Sequence, residues 1–241
     1  MTPGRLLARL LDLIFPPRCA SCNQPGAWLC AGCLARVEWL SPPLCLHCGE
    51  PLPKGGRCPR WRQNPVLLDG LRSAAWHAGP LRSAIHHYKY RGQRILAEPL
   101  AGILLQAWLH DPPLTDLLLP VPLHPRRLRE RGFNQATLLS HHLSQATAIP
   151  LDARSLQRRR YTAPQVELSG PRRLANVEGA FVYRGPPLEG RAVCLIDDIC
   201  TTGATLQACA AALREAGARS VWGFTLARPR WEAALRLQDG G

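Results

Sequence analysis

The run Val193-Cys194-Leu195-Ile196-Asp197-Asp198-Ile199-Cys200-Thr201-Thr202-Gly203-Ala204-Thr205 constrains this chain more than any other segment. An apolar stretch ends in two carboxylates, and a hydroxyl-rich loop then opens a helix. So short an apolar run fits a strand buried on both faces of a parallel sheet, and its acids fall at the carboxyl end, where open α/β sheets bind ligands. Leu206, Ala210 and Leu213 then recur at helical spacing until Gly217 supplies a stop. Gly203 lets backbone approach a phosphate, and Thr201, Thr202 and Thr205 add hydroxyl donors. Ala204 starts a helix whose unpaired N–H groups and dipole favour an anion. Asp197 and Asp198 would repel that phosphate, but carboxylates accept hydrogen bonds from ribose hydroxyls and engage Mg²⁺ directly or through water. Phosphate, diol and metal together describe a phosphoribosyl group. The bland alternative, a strand-to-helix connection capped by Thr or Asp, leaves two adjacent acids at the tip of an apolar strand without a partner.

Strand and helix patterns alternate around this element. Leu71 to Trp76 reads as a strand, and helices follow on Leu81, Ile85 and Tyr88 and across Ile95 to Leu109. Asp116 to Val121 is the next strand, Gln135 to Thr147 the next helix, and Val221 to Leu226 a closing strand. This rhythm predicts an α/β fold, a doubly wound parallel sheet with right-handed crossovers, over residues 65–241. With 241 residues, 46% of them hydrophobic, and no apolar run near the length of a membrane span, the chain suits one soluble core domain plus a small appendage. Leu7, Leu10, Leu11 and Ile14 form one helical stripe within residues 1–15. Arg9 and Asp12 interrupt the apolar stretch, and no small-residue cleavage site precedes Pro16-Pro17, so a docked amphipathic helix and a cytoplasmic location are expected rather than a signal peptide.

Ten cysteines in a chain without an export signal point to metal rather than disulfides. Cys19-x-x-Cys22 and Cys30-x-x-Cys33 are two knuckles able to place four thiolates around Zn²⁺. Residues 16–64 hold few large aliphatics and many prolines and glycines, so that zinc would be structural and stand in for a core. A second set, Cys45, Cys48 and Cys58, meets Trp61 where a fourth cysteine would fall, and His47 lies inside its own knuckle. One zinc is expected, with the second set a degenerate site or packed thiols. A crossed arrangement pairing Cys19 and Cys22 with Cys45 and Cys48 stays open.

The formal charge of +13 is carried by arginine, with Lys54 and Lys89 the only lysines. Arginines cluster between Arg126 and Arg173, a density that could clamp pyrophosphate bidentately or track a nucleic-acid backbone. Tyr161, Phe133 and Trp76 could stack bases, although such aromatics are as readily core. Lys89 ends a helical pattern and could reach a pyrophosphate or simply offset a helix dipole. His124 could face the same cleft.

The thirteen-residue element resembles the phosphoribosyl pyrophosphate motif of type I phosphoribosyltransferases. Further segments resemble the ComF family of competence-associated proteins: Leu119 to Gln135 with its Arg131-Gly132-Phe133-Asn134-Gln135 core, Tyr161 to Ser169 with Arg172, Arg173, Asn176 and Val177, and Lys89-Tyr90-Arg91-Gly92. The resemblance implies a phosphoribosyltransferase-like sheet that binds phosphoribosyl pyrophosphate with Mg²⁺. Asp197 and Asp198 would hold the ribose, Thr201 to Thr205 the 5-phosphate, and Lys89, Arg127 and Arg131 the pyrophosphate. It also implies work with single-stranded DNA, and a competence helicase as partner, in DNA uptake. The alternative is an active transferase acting on an unidentified nitrogenous acceptor, for which no base pocket is recognisable.

Overall fold

The computed structural model describes residues 16–52, 54–56, 58, 67–160 and 179–230. The stretch 1–15, where an amphipathic helix is expected, and the segment holding Tyr161 to Val177 lie outside the described residues.

Four parallel strands, β1 (Gly70–Trp76), β2 (Leu117–Pro120), β5 (Ala192–Ile199) and β6 (Ser220–Arg228), form the sheet in the order β1-β6-β5-β2. β5 lies inside it, and a central parallel strand must bury both faces, which is why its first five residues are all apolar and all buried. Alternation along β5 sends Cys194 and Ile196 into a core shared with three helices: α2 (Gly79–Tyr90), α3 (Ala97–His110) and α5 (Gln135–Thr147). Val193 and Leu195 face the opposite core, filled by α6 (Ala204–Glu215) and a two-stranded hairpin of β3 (Leu156–Arg158) and β4 (Phe181–Tyr183). Helices thus cover both faces, as the alternating pattern predicts.

The cysteine-rich residues seal the β1 edge. Trp76 N–H donates to Glu38 O at 2.8 Å and Leu40 N–H to Ala74 O at 3.2 Å, so residues 38–40 run antiparallel to β1. Behind them the short α1 (Ala31–Leu34) and Leu29 and Val37 join Leu81, Ala84 and Ile85 of α2 in the larger core. A sheet edge that would otherwise present unpaired backbone groups is closed by this module.

The helix after β2 has no signature in the apolar pattern. α4 (Pro125–Arg131) follows β2 and buries no residue, so it carries no apolar periodicity to reveal it. Pro125 at its first turn and Gly132 in the left-handed conformation (φ 78°) at its end mark it instead.

Candidate functional site

The strand end, the loop and the start of α6 meet in a pocket lined by Asp197, Ile199, Cys200, Thr201, Gly203, Ala204, Thr205 and Leu206. Gly203 is the N-cap of α6 at φ 80°, a conformation that favours glycine and leaves the helix start without a capping side chain. Ala204 N–H makes only a long 3.4 Å bond to Thr202 Oγ1. An amide-rich, hydroxyl-rich turn beside a carboxylate is what a sugar phosphate requires.

The two acids do not share that pocket. Successive strand residues point to opposite faces, so Asp197 lines the loop side while Asp198 turns toward α2 and is 2% exposed. There its Oδ2 lies 2.6 Å from Lys89 Nζ in the last turn of α2. Lys89 therefore compensates a buried carboxylate, a partner that neither a helix-dipole nor a pyrophosphate role by itself anticipates. Burial lowers Lys89 to about 8, with Asp197 working to raise it and Arg131 to lower it further. Burial likewise pushes Asp197 up to about 6 against the pull of Lys89, Arg131 and Arg158. Arg158, on β3 and 5.4 Å from the Phe181 ring, adds its positive charge to those that favour the Asp197 carboxylate.

A raised carboxyl pKa means that folding favours the neutral acid. Its stabilising contribution is present below the ordinary value of 3.8 and is lost as pH rises through about 6. Between about pH 5 and about pH 7.5 the ligand-free protein should therefore lose about 1 kcal/mol relative to Asp197→Asn, which does not titrate there. Urea unfolding of both proteins at the two pH values checks this, and parallel pH profiles would contradict it.

The Arg131-Gly132-Phe133-Asn134-Gln135 segment locks three elements together. Asn134 caps α5 by accepting from Ala136 N–H at 3.0 Å, and its Nδ2 donates to Val121 O at 3.0 Å, fixing the helix to the end of β2. Phe133 is buried against Tyr88 with ring centroids 5.3 Å apart, so it belongs to the core and offers no stacking platform. Arg131 donates to Gln135 Oε1 at 2.6 Å and lies 5.5 Å from the ring of exposed Tyr90. Arg127 sits on exposed α4, 4.0 Å from Glu130, so of the two predicted pyrophosphate arginines Arg131 stands nearer to Asp197 chemistry. His124 is spent as the α4 cap, its Nδ1 accepting from Arg126 N–H at 3.2 Å. Trp76 is half-buried under Arg230.

The thiols gather into two clusters. Cys19, Cys22, Cys30 and Cys33 bring their sulfurs within 4.8 Å of one another, which removes the crossed pairing, and Cys45, Cys48 and Cys58 form a separate group on the same criterion. Cys22 and Cys30 Sγ are 3.6 Å apart, close to the about 3.8 Å edge of a tetrahedron with 2.3 Å metal–sulfur bonds. Burial opposes the Cys19 thiolate, yet N–H donors of Cys22, Cys30 and Ser21 outweigh it and lower the thiol to about 6. This donor set fits a closed structural zinc site.

Comparison with known proteins places the cysteine-rich residues and then the chain as a whole. Residues 10–62 match the double zinc ribbon domain. Among solved structures, a glutamine phosphoribosylpyrophosphate amidotransferase from B. subtilis is 23% identical at TM-score 0.37, covering 54% of this chain and 25% of that one. An orotate phosphoribosyltransferase from Aeropyrum pernix is 18% identical at TM-score 0.37, covering 73% and 81%. No described helix is long and apolar enough to cross a membrane. DNA utilization protein YhgH of Escherichia coli (strain K12) is 35% identical over 90% of this chain and 99% of its own length. Competence protein F of Haemophilus influenzae is 32% identical over 83% and 90%, and competence protein ComFC of Bacillus subtilis 30% identical over 85% and 86%. With relatives of that identity along nearly its whole length, the chain belongs to the ComF family, that of competence protein F and DNA utilization protein YhgH.

Proposed function

We propose that the chain binds phosphoribosyl pyrophosphate with Mg²⁺ in the pocket at the end of β5 and acts as an adaptor with single-stranded DNA in DNA uptake. The observation that carries the reading is the placement of Asp197 in one pocket with Thr201, Gly203 and Thr205 at the uncapped start of α6. The 5-phosphate would sit on the turn amides and threonine hydroxyls, and the ribose diol would donate to Asp197. Mg²⁺ would be held by Asp197 and pyrophosphate oxygens, where it neutralises charge. Asp198 and Lys89 would act as one buried unit that keeps the strand end in place. Arg131 supplies positive charge on the pyrophosphate side. For DNA, exposed α4 with Arg126, Arg127 and Arg129, beside exposed Tyr90, offers a basic surface with one stacking ring. The relatives' names, DNA utilization and competence, support a nucleic-acid partner, and a competence helicase would be the machine served.

Lys89, Arg131 and Arg158 all act on Asp197, and that concentration of cations where pyrophosphate would depart favours a second reading. In it the C1–O bond to pyrophosphate breaks as a C1–N bond to a nitrogenous acceptor forms. Titrating the zinc-loaded protein with phosphoribosyl pyrophosphate and Mg²⁺, with and without single-stranded DNA, separates these. Under the adaptor reading DNA shifts the affinity for the sugar phosphate and the sugar phosphate shifts that for DNA by the same factor. An affinity indifferent to DNA, together with acceptor-dependent pyrophosphate release that Asp197→Ala abolishes, would favour transfer instead.

A further inference from the structure

The two thiol clusters are built on one backbone plan repeated 26 residues apart. Cys19 N–H donates to Gln24 O at 2.9 Å, and Cys45 N–H to Glu50 O at 2.7 Å. Asn23 N–H reaches Cys19 O at 2.9 Å and Gly49 N–H reaches Cys45 O at 3.0 Å, with both donors left-handed at φ 62° and φ 64°. Gly26 N–H to Pro17 O at 2.8 Å has its counterpart in Leu52 N–H to Pro43 O at 2.9 Å, and the bridge Arg18–Pro25 in Leu44–Pro51. The correspondence extends to the sulfurs after a two-residue lengthening of the second turn. Cys30 N–H donates to Cys19 Sγ at 3.5 Å and Cys58 N–H to Cys45 Sγ at 3.3 Å, while Cys22–Cys30 and Cys48–Cys58 stand 3.6 and 3.5 Å apart. Each of these backbone and sulfur contacts of the first site therefore has a partner in the second.

The fourth ligand does not. Cys33 stands three residues after Cys30, and three residues after Cys58 the sequence has Trp61. Nor does a substitute come from nearby. No Cys, His, Asp or Glu occurs between Glu50 and Asp69 except Cys58. The flanking donors are committed: Glu50 to Arg228 at 2.6 Å, Asp69 to Arg214 at 2.5 Å and to Val221 N–H at 2.7 Å, and His47 Nδ1 against Asp69 O at 3.3 Å. Among the described residues only the three sulfurs converge.

We infer that Cys45, Cys48 and Cys58 hold a thiophilic divalent ion through three protein thiolates and leave its fourth position to an exogenous small donor, a water or a low-molecular-mass thiol. The double zinc ribbon match anticipates a second metal but not this open position. A four-thiolate shell is closed, whereas a three-ligand shell keeps an exchangeable site. The chain then carries one inert metal and one that meets small ligands.

Full-length protein loaded with zinc tests this by native mass spectrometry and chelator competition. Two zincs per chain are expected, one released at least about tenfold more readily than the other, in line with the 10- to 100-fold that even an outer-shell partner is worth. Trp61→Cys should bring the labile zinc to the slow class, and Trp61→His, which supplies a nitrogen, provides the same check if the thiol variant misfolds. In Co²⁺-loaded protein, added small thiol should change the absorption of one site in the wild type and of neither in Trp61→Cys. A retained thiol adduct in the native mass identifies a thiol as the fourth donor, and its absence identifies water. One zinc per chain with three freely reactive thiols would overturn the inference, as would two zincs released at one rate that Trp61→Cys leaves unchanged.

Discussion

Removing zinc from the full-length protein is expected to unfold residues 16–58 while the sheet beyond them survives. The module has little core of its own: Cys19, Cys33, Leu29 and Val37 are buried in a core shared with α2 and the sheet. A structural zinc supplies on the order of 10 kcal/mol that becomes folding free energy, more than this apolar burial can replace. Loss of the module also uncovers the β1 edge, where Trp76 N–H and Ala74 O had been paired with residues 38 and 40. A bare parallel-sheet edge beside Leu81 and Ile85, which are buried while the module is folded, invites association. Hydrogen exchange before and after chelation checks the expectation. Amides of Ala20, Leu34, Val37 and Leu40 should lose protection by several orders of magnitude, those of β5 and β6 should hold, and size-exclusion profiles should broaden. Unchanged protection at those four amides would show that the fold does not need its metal.

Lys89→Met should cost about 3 to 5 kcal/mol, the penalty for leaving one member of a buried ion pair uncompensated. Asp198 is almost wholly enclosed and its carboxylate meets Lys89 at 2.6 Å, so deleting the ammonium strands a buried charge. The same logic predicts a rescue. Lys89→Met combined with Asp198→Asn removes both charges and should recover most of the loss, because replacing a buried pair outright is far cheaper than breaking it. Urea unfolding of the wild type, the two single variants and the double variant closes the cycle. Additive losses would mean that the two side chains do not depend on each other.

Much of this architecture is legible from sequence for identifiable reasons. Gln135 to Thr147 is bounded as expected because Asn134 caps it and its apolar face is regular. β5 and the start of α6 follow from an apolar run, two acids and a glycine that only a left-handed turn needs. The thiol clusters follow from spacing. What stayed hidden depends on direction and distance rather than composition. Adjacent acids on a strand must point to opposite faces, so the division of labour between Asp197 and Asp198 was available from the period of two, yet the partner of Asp198 lies 109 positions away on α2. The exposed helix α4 lacks an apolar stripe, and β3 and β4, at three residues each, are too short to show alternation. The tandem plan of the thiol module is masked by the two-residue lengthening and by Trp61.

Isothermal titration of the zinc-loaded protein with phosphoribosyl pyrophosphate reaches the heart of the matter. Saturable heat that requires Mg²⁺ and disappears in Asp197→Ala is the expected result, since that side chain shares its pocket with the threonine loop. No heat with folded, metal-loaded protein, or a binding curve that Asp197→Ala and omission of Mg²⁺ leave unchanged, would contradict it.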